Sequence, residues 1–338
     1  MIEFPLDIIL PVWNRPVDVR AALASFVSDS PMARIIMVNN GSERETESIL
    51  DEFAEALDDR ALLVATARNI GTIAALNLGF SKSTAPLMLV ASPFTRLSAG
   101  WFESVAAHLA NRPDTGSLKI AKAITSTSSP SIESDHGSFD SMIIRNTLYS
   151  AIGGFDENMD GSLWALRDFA RRSLTKGFLT ESLFSRNLTL LDYRELGSDS
   201  KRKERIFSAR ECYMLRWGGQ RTFLLNCGDF LFGTDASSLK NALLQTARHG
   251  DRVVLTAENS IARELKSYGF AGMHENVSFQ PLPRFFSQRA LARIIESTLA
   301  LDAAAFLISD SPEFEAGLQK LSFEDFLAMT DKRNELYC

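Results

Sequence analysis

At 338 residues the chain is longer than one hydrophobic core usually serves, so two domains are expected. Its 45% hydrophobic and 23% charged residues describe a globular protein, and a net charge of −6 gives nucleic acid no electrostatic footprint. No apolar run reaches the ~18–20 residues that span a bilayer, and the first residues, MIEFPLDIILPVWN, carry an acid where a secretory signal needs a positive charge, so a cytoplasmic location is expected.

The first 180 residues alternate strand and helix patterns in the manner of βαβ units around a parallel sheet. LDIILPV (6–12) reads as a buried strand, and PVDVRAALASFVSD after it places Val19, Leu23 and Phe26 on one helical face. RIIMVNN (34–40) is a second strand. Ser42 and Glu45 then form an S-x-x-E capping box for a helix that buries Ile49, Leu50, Phe53 and Leu57. LLVATA (62–67) is a third strand, NIGTIAALNLGFSKS a small-residue helix able to approach the sheet closely, and PLMLVA (86–91) a fourth strand. A polar tract, TSTSSPSIESDHGS (125–138), reads as a loop and is followed by the strand FDSMIIR, a short helix and GGFDE.

From about 185 to 210 the chain is mostly polar and reads as a linker; the basic run KRKER (201–205) reads as the solvated start of a helix. Beyond it RTFLLNC (221–227), RVVLTA (252–257), NVSFQPL (276–282) and AAFLIS (304–309) are strands separated by helical stretches, which make a second, smaller α/β unit. The expected division is 1–185, a connection over 186–220, and 221–338. Cys212, Cys227 and Cys338 fit no metal-ligand spacing and read as reduced thiols, with Cys227 a small core residue. The second unit has no G-x-G-x-x-G, P-loop or nucleophile elbow, so the sequence assigns it no chemistry of its own.

Five pieces in order carry a resemblance: ILPVWNRP, IIMVNNGSERETESIL, ARNIGTIAALNLGF, TRLSAGW and GGFDENM, with RWGG (216–219) as a faint extension. Over roughly residues 6–180 the chain resembles the family-2 glycosyltransferases, which have the GT-A nucleotide-diphosphosugar transferase fold. The resemblance implies a nucleoside-diphosphate sugar as donor and a glycan, lipid or protein as acceptor, as in polysaccharide biosynthesis, without nucleic acid or a transmembrane segment. Peripheral contact with a membrane and a homodimer are compatible with it.

Carried over position by position, Pro11, Val12 and Trp13 would line the base pocket, with Asn14 and Arg15 following. Asn39 stands where the family has a base-binding aspartate, Arg68, Asn69 and Gly71 approach the nucleotide, and Asn77 matches a recurring asparagine. Ordinary readings stand beside these: Trp13 as a core cap, Asn39 and Asn40 as turn formers, Asn69 and Asn77 as loop braces.

The same alignment puts the family's metal-holding D-x-D at Ser92 and Phe94, with Pro93 between. Neither side chain suits Mg²⁺ or Mn²⁺, which take oxygen ligands, so a divalent metal is not expected to be held there. In place of the family's E-D-x-D helix stands NMDGSLWALRDFARRSLTKGF. Counted back from Gly177, Asp168 takes the last acid and Ala165 and Leu166 the first two; counted forward from Glu157 the register moves by about one. Asp168 is the candidate base, with Asp160 behind it, though an ion pair with Arg171 or Arg172 explains Asp168 equally well. The downstream metal-binding histidine is also missing from LTLLDYRELGS, and His136 reads as a surface loop residue.

Two readings follow. One is a hexosyltransferase that offsets the departing diphosphate with basic side chains, the candidates being Arg15, Arg68, Arg96, Lys119 and Arg145. The other is an inactive GT-A pseudo-transferase that binds a sugar nucleotide or acts as a scaffold.

Overall fold

The computed structural model describes residues 5–122, 130–160, 163–191, 199–227, 236–308 and 318–335. Parts of stretches read above, at 125–129, 161–162, 192–198 and 309, lie outside the described residues, as does Cys338. Two compact units emerge, residues 1–131 with 136–218, and residues 132–135 with 219–338. No described helix is long and apolar enough to cross a membrane.

The first unit begins β1 (Leu6–Val12), α1 (Pro16–Asp29), β2 (Ala33–Asn40), α2 (Arg44–Leu57), β3 (Ala61–Thr66), α3 (Thr72–Phe80) and β4 (Leu87–Ala91). It continues with β5 (Thr95–Leu97), α4 (Trp101–Asn111), β6 (Thr115–Lys122), β7 (Ser131–Glu133, most of which is grouped with the second unit) and β8 (Ser141–Arg145). The last elements are α5 (Asn146–Ile152), α6 (Leu163–Leu174), β9 (Leu179–Ser185), β10 (Leu188–Leu190) and α7 (Asp199–Trp217). The main sheet runs β3-β2-β1-β4-β8-β6-β9. Its first four strands are parallel, and β8 is antiparallel to both β4 and β6. A separate antiparallel pair joins β5 to β10.

β1 is central and buried on both faces, as a parallel strand under helices must be. Ile8, Leu10 and Val12 share a cluster with Val19, Leu23 and Phe26 of α1, the face that the helical spacing selects. On the other face α3 closes tightly: a Cβ on Gly79 would lie 2.4 Å from Ile9 Cγ2. The α2 face also follows its pattern, with Ile49 and Leu50 buried and Phe53 and Leu57 packed against them. The capping box does not form. Glu43 is the N-cap of α2, and the Ser42 hydroxyl donates to Val12 O at 3.3 Å and accepts from Asn14 N–H at 2.9 Å. A tertiary tie to the loop after β1 thus replaces the local cap.

The one charge inside β1 is Asp7, fully buried. Arg34 of β2 meets it with two bonds at 2.8 and 2.9 Å, and Ser83 Oγ, Thr84 N–H and Ala85 N–H donate to Oδ2. Asp7 thereby ties β1 to β2 and to the turn that feeds β4.

The second unit contains β11 (Thr222–Asn226), α8 (Ala236–Arg248), β12 (Arg252–Glu258), α9 (Asn259–Ser267), β13 (Val277–Leu282), α10 (Ser287–Leu301), β14 (Phe306–Ile308), β15 (Gln319–Leu321) and α11 (Phe323–Glu335). Its strands are all parallel in the order β13-β12-β11-β14-β15. Phe223, Leu225, Val253 and Leu255 face α8, α9 and α11, while Leu224 and Val254 face α10. That period of two, covered on both sides, is a doubly wound α/β layer. Cys227 is buried in the first of these cores, and neither it nor Cys212 is in a disulfide. The excursion 132–135 is held here by Arg248 on Glu133 and Ser134 on Glu275.

Replacing Asp7 by alanine strands the buried end of Arg34 and three further donors, so the first unit is expected to lose about 3–5 kcal/mol. All four tryptophans lie in that unit, so their fluorescence during urea denaturation reads it alone. Burial opposes ionisation of Asp7, but Arg34, Ser83 and the two backbone N–H groups outweigh it and hold the carboxyl below the ordinary 3.8. The contribution is therefore complete above that value and lost as pH falls through the lowered one, so the gap between wild type and Asp7→Ala closes in strong acid.

Candidate functional site

The loops that leave β1, β3 and β4 and the segment that enters β8 enclose a cavity of about 260 Å³. It lies beyond the carboxyl ends of parallel strands, where open α/β sheets bind ligands.

The β1 loop is shaped by two residues with left-handed backbone, Asn14 at φ 58° and Arg15 at φ 63°. Asparagine visits this region readily, whereas arginine pays for it. Pro16 then starts α1 with its φ already set. The strained turn presents Trp13, 40% exposed, and Arg15 to the cavity beside Pro11 and Val12. Asn14 does not line it. Asn14 Oδ1 accepts from Glu43 N–H and its own N–H donates to Ser42, so it braces the loop.

After β2, the two asparagines divide the work. Asn39 Oδ1 accepts from Ser42 N–H at 3.0 Å and is buried as a turn former. Asn40 lines the cavity: its amide accepts from Ile70 N–H and donates to Asn69 Oδ1 and Gly71 O, fixing the RNIG loop. Asn69 and Gly71 line the cavity as the resemblance implies, with Thr72, whereas Arg68 is exposed and does not. Gly71 has φ 96°, and a Cβ there would meet Asp160 Oδ2 at 2.6 Å. Asp160 is in contact because its Oδ1 accepts the Ile73 N–H at the start of α3. Asn77 is structural: its amide bonds both the N–H and the carbonyl of Phe155, which fixes the GGFDE loop on α3.

Beyond β4, the chain turns through Ser92, Pro93 and Phe94, all in the cavity wall. Phe94 N–H donates to Ser92 Oγ at 3.2 Å, and the Arg15 guanidinium lies over the Phe94 ring, 4.9 Å from its centre. The aromatic that the resemblance places at a carboxylate position thus lies under a cation. Phe139, Asp140 and Arg205 complete the lining. Arg205 lies on α7, 3.9 Å from Asp160, so KRKER is helical but not simply solvated. The other basic candidates are engaged elsewhere: Arg96 with the carbonyls of Pro93 and Thr95, Arg145 with those of Thr115, Leu109 and Arg112, and Lys119 with His136.

Asp168 is fully buried and away from this lining. Arg172 donates to Oδ2 at 2.7 Å, while Arg216 and the Trp217 indole N–H donate to Oδ1 at 2.6 and 2.9 Å. Arg172 also bonds the carbonyls of Ile152 and Gly154, and Arg216 reaches Asp156. The RW pair of RWGG therefore locks α7 to α6 through Asp168 and to the GGFDE loop through Asp156.

Residues 7–153 match the family model described as glycosyl transferase family 2. The match covers every wall of the cavity except Arg205. It confirms the resemblance read from the sequence, and the mixed α/β sheet is the GT-A fold that the resemblance implies, with a second α/β unit after it. No curated protein sequence matches the chain. Among solved structures, the mannosyltransferase PcManGT from Pyrobaculum calidifontis, in complex with GDP-Man and Mn²⁺, aligns at 13% identity and TM-score 0.49 over 64% of this chain and 64% of that one. GalNAc-T7 with UDP, GalNAc and Mn²⁺ aligns at 11% identity and TM-score 0.47 over 54% of this chain and 42% of that one. Each alignment thus spans less than two thirds of the other chain.

The cavity offers a divalent cation one carboxylate, Asp140, the hydroxyls of Thr72 and Ser92 and amide oxygens of Asn40 and Asn69 that already accept backbone or side-chain N–H groups, against two guanidinium groups. Mg²⁺ and Mn²⁺ are held chiefly by carboxylate oxygens, so a lining with one carboxylate and two fixed cations suits an anion better.

The environment of Asp168 gives a direct test. Its replacement by alanine is expected to cost about 2 kcal/mol, discounted because Arg216 stays partly in water, and to lower the thermal midpoint of the first unit. Because Asp168 does not line the cavity, any ligand that the cavity binds is expected to keep its affinity within about threefold of wild type, measured by calorimetry at a temperature where both proteins are folded.

Proposed function

We propose that the first unit binds a nucleoside-diphosphate sugar in this cavity and transfers its hexose to a glycan, lipid or protein acceptor without the metal that D-x-D enzymes use. The observation that carries the reading is the presence of Trp13, Arg15 and Arg205 in one cleft at the carboxyl edge of a family-2 sheet. Trp13 offers a ring face on which a base can stack. Asn69, its amide oxygen held by Asn40 and Gly71 N–H, turns an amide NH₂ donor toward the same cleft. Arg15 and Arg205 supply two permanent positive charges and forked donors, a good match to a diphosphate. Charge develops on that diphosphate as the glycosidic bond breaks, so fixed cations already in place lower the barrier.

A second reading, binding without transfer, is favoured by the structural employment of Asp168 and Asp160, the two acids read as bases from sequence. In either case the second unit serves acceptor recognition or dimerisation.

Calorimetry with UDP, GDP and TDP checks the proposal. Binding by at least one of them is expected, unchanged by EDTA. Arg15→Ala and Arg205→Ala are each expected to weaken it about tenfold, or about 1.4 kcal/mol, while affinity for the matching nucleoside moves less. Failure of all three to bind, or loss of binding on chelation, would overturn the reading.

A further inference from the structure

We propose that Asp140 is the proton acceptor of the cavity, the group that deprotonates the hydroxyl attacking the sugar; this rests on the nucleotide-sugar reading above. Sheet register puts it there. β8 runs antiparallel to β4 with Ser141 opposite Ala91, so the residue before β8 falls beside the residue after β4. Asp140 and Ser92 thus meet in the cavity wall although 48 residues apart in sequence.

The backbone of Asp140 is fixed on both sides. Its N–H donates to Ser138 Oγ at 3.1 Å and its carbonyl accepts from Thr95 Oγ1. Ser92, which follows β4, lines the same wall as the Asp140 side chain. Ser92 Oγ also accepts the Phe94 N–H at 3.2 Å, so the turn after β4 is held beside the residue that enters β8.

The other acids near the site are committed. Asp160 caps α3 with one oxygen and faces Arg205 with the other, and Asp168 has both oxygens bonded. Among the described residues lining the cavity, Asp140 is the only carboxylate. Burial pushes its carboxyl above the ordinary range, with the Ser92 hydroxyl pulling the other way. A carboxylate made more basic by its surroundings is a better proton acceptor near neutrality. The charged groups across the cavity are Arg15 and Arg205. On adjoining elements stand Arg96, bonded to backbone carbonyls, and Lys119 with His136.

The step balances. The attacking hydroxyl gives its proton to the Asp140 carboxylate while its oxygen bonds to the anomeric carbon. The bond from that carbon to the diphosphate oxygen breaks, and its electron pair leaves with the diphosphate beside Arg15 and Arg205.

The test uses the full chain, with UDP-glucose, UDP-N-acetylglucosamine, GDP-mannose and TDP-glucose as probes and water as the attacking hydroxyl. Donor cleavage is followed across pH, and binding of UDP, GDP and TDP is measured in parallel. Asp140→Asn, nearly the same shape without the basic oxygen, is expected to bind nucleotide within about threefold of wild type and cleave at least about 100-fold more slowly. Its rate is also expected to lose the rise with pH that wild type shows as the carboxyl ionises. Asp140→Glu is expected to recover part of the rate and that rise, which a purely structural role would not give. Cleavage by Asp140→Asn at the wild-type rate with the wild-type pH profile overturns the inference. So does a wild type that binds nucleotide yet cleaves none of the four donors, an outcome that leaves the nucleotide site standing. A wild type that binds none of the nucleotides overturns the site, and the proton acceptor with it.

Discussion

The pairing of β1 with β4 is the constraint from which the cavity follows. The two strands run parallel in register from Leu6 opposite Leu87 to Ile9 opposite Val90, so the loops that leave them emerge side by side. One loop carries Trp13 and Arg15, the other Ser92 and Phe94. β8 then enters against β4 from the opposite direction and delivers Asp140 to the same edge. Asp7 holds this arrangement at its far end, because the donors it gathers come from β2 and from the turn before β4. A buried charge is costly unless all its partners are present. At this end of the sheet the register of three strands is therefore set by a polar contact as well as by apolar burial.

The acids of the first unit divide by task. Asp7, Asp160 and Asp168 each satisfy N–H or guanidinium donors that would otherwise be stranded. Asp168 draws Arg172, Arg216 and Trp217 from two helices onto one carboxylate, and Asp156 shares Arg216. Asp168, which the resemblance places on a catalytic helix, is here turned inward to hold α6, α7 and the GGFDE loop together. What reaches the cavity is one carboxylate and two guanidinium groups.

Much of this was legible in the sequence, and what was not has a common cause. The strands from β1 to β4, the buried faces of α1 and α2 and the alternation in the second unit all follow from short periods in contiguous residues. Trp13, Arg15, Asn69, Gly71 and Ser92 were legible because each lies within a few residues of a strand end. Asn39 was read as the ligand-facing amide where Asn40 is, a difference of one residue that pleating turns to the other face. Ser42 suits a local cap by spacing, but the loop after β1 competes for its hydroxyl and wins. Asp140 and Arg205 were missed because nothing local marks them. One arrives through strand register and the other through the packing of a helix that joins the cavity from outside the matched segment.

On the proposed reading, the charge balance of the cavity accounts for a nucleotide-sugar site that works without a D-x-D metal. In the D-x-D arrangement that the resemblance implies, two carboxylates spend most of their field on holding a divalent ion, and the ion's remaining field acts on the diphosphate. On that reading Ser92 and Phe94, which the resemblance places at those positions, bring no negative charge and call for no ion. Arg15, held over the Phe94 ring, and Arg205 can then act on the diphosphate directly. Guanidinium groups cannot be deprotonated near neutrality, so their charge is permanent and needs no ligand field to keep it in place. Fixed arginines and a metal held by acids are thus two ways of placing positive potential at one point. The strained left-handed turn at Asn14 and Arg15 is understandable as the cost of aiming one of them.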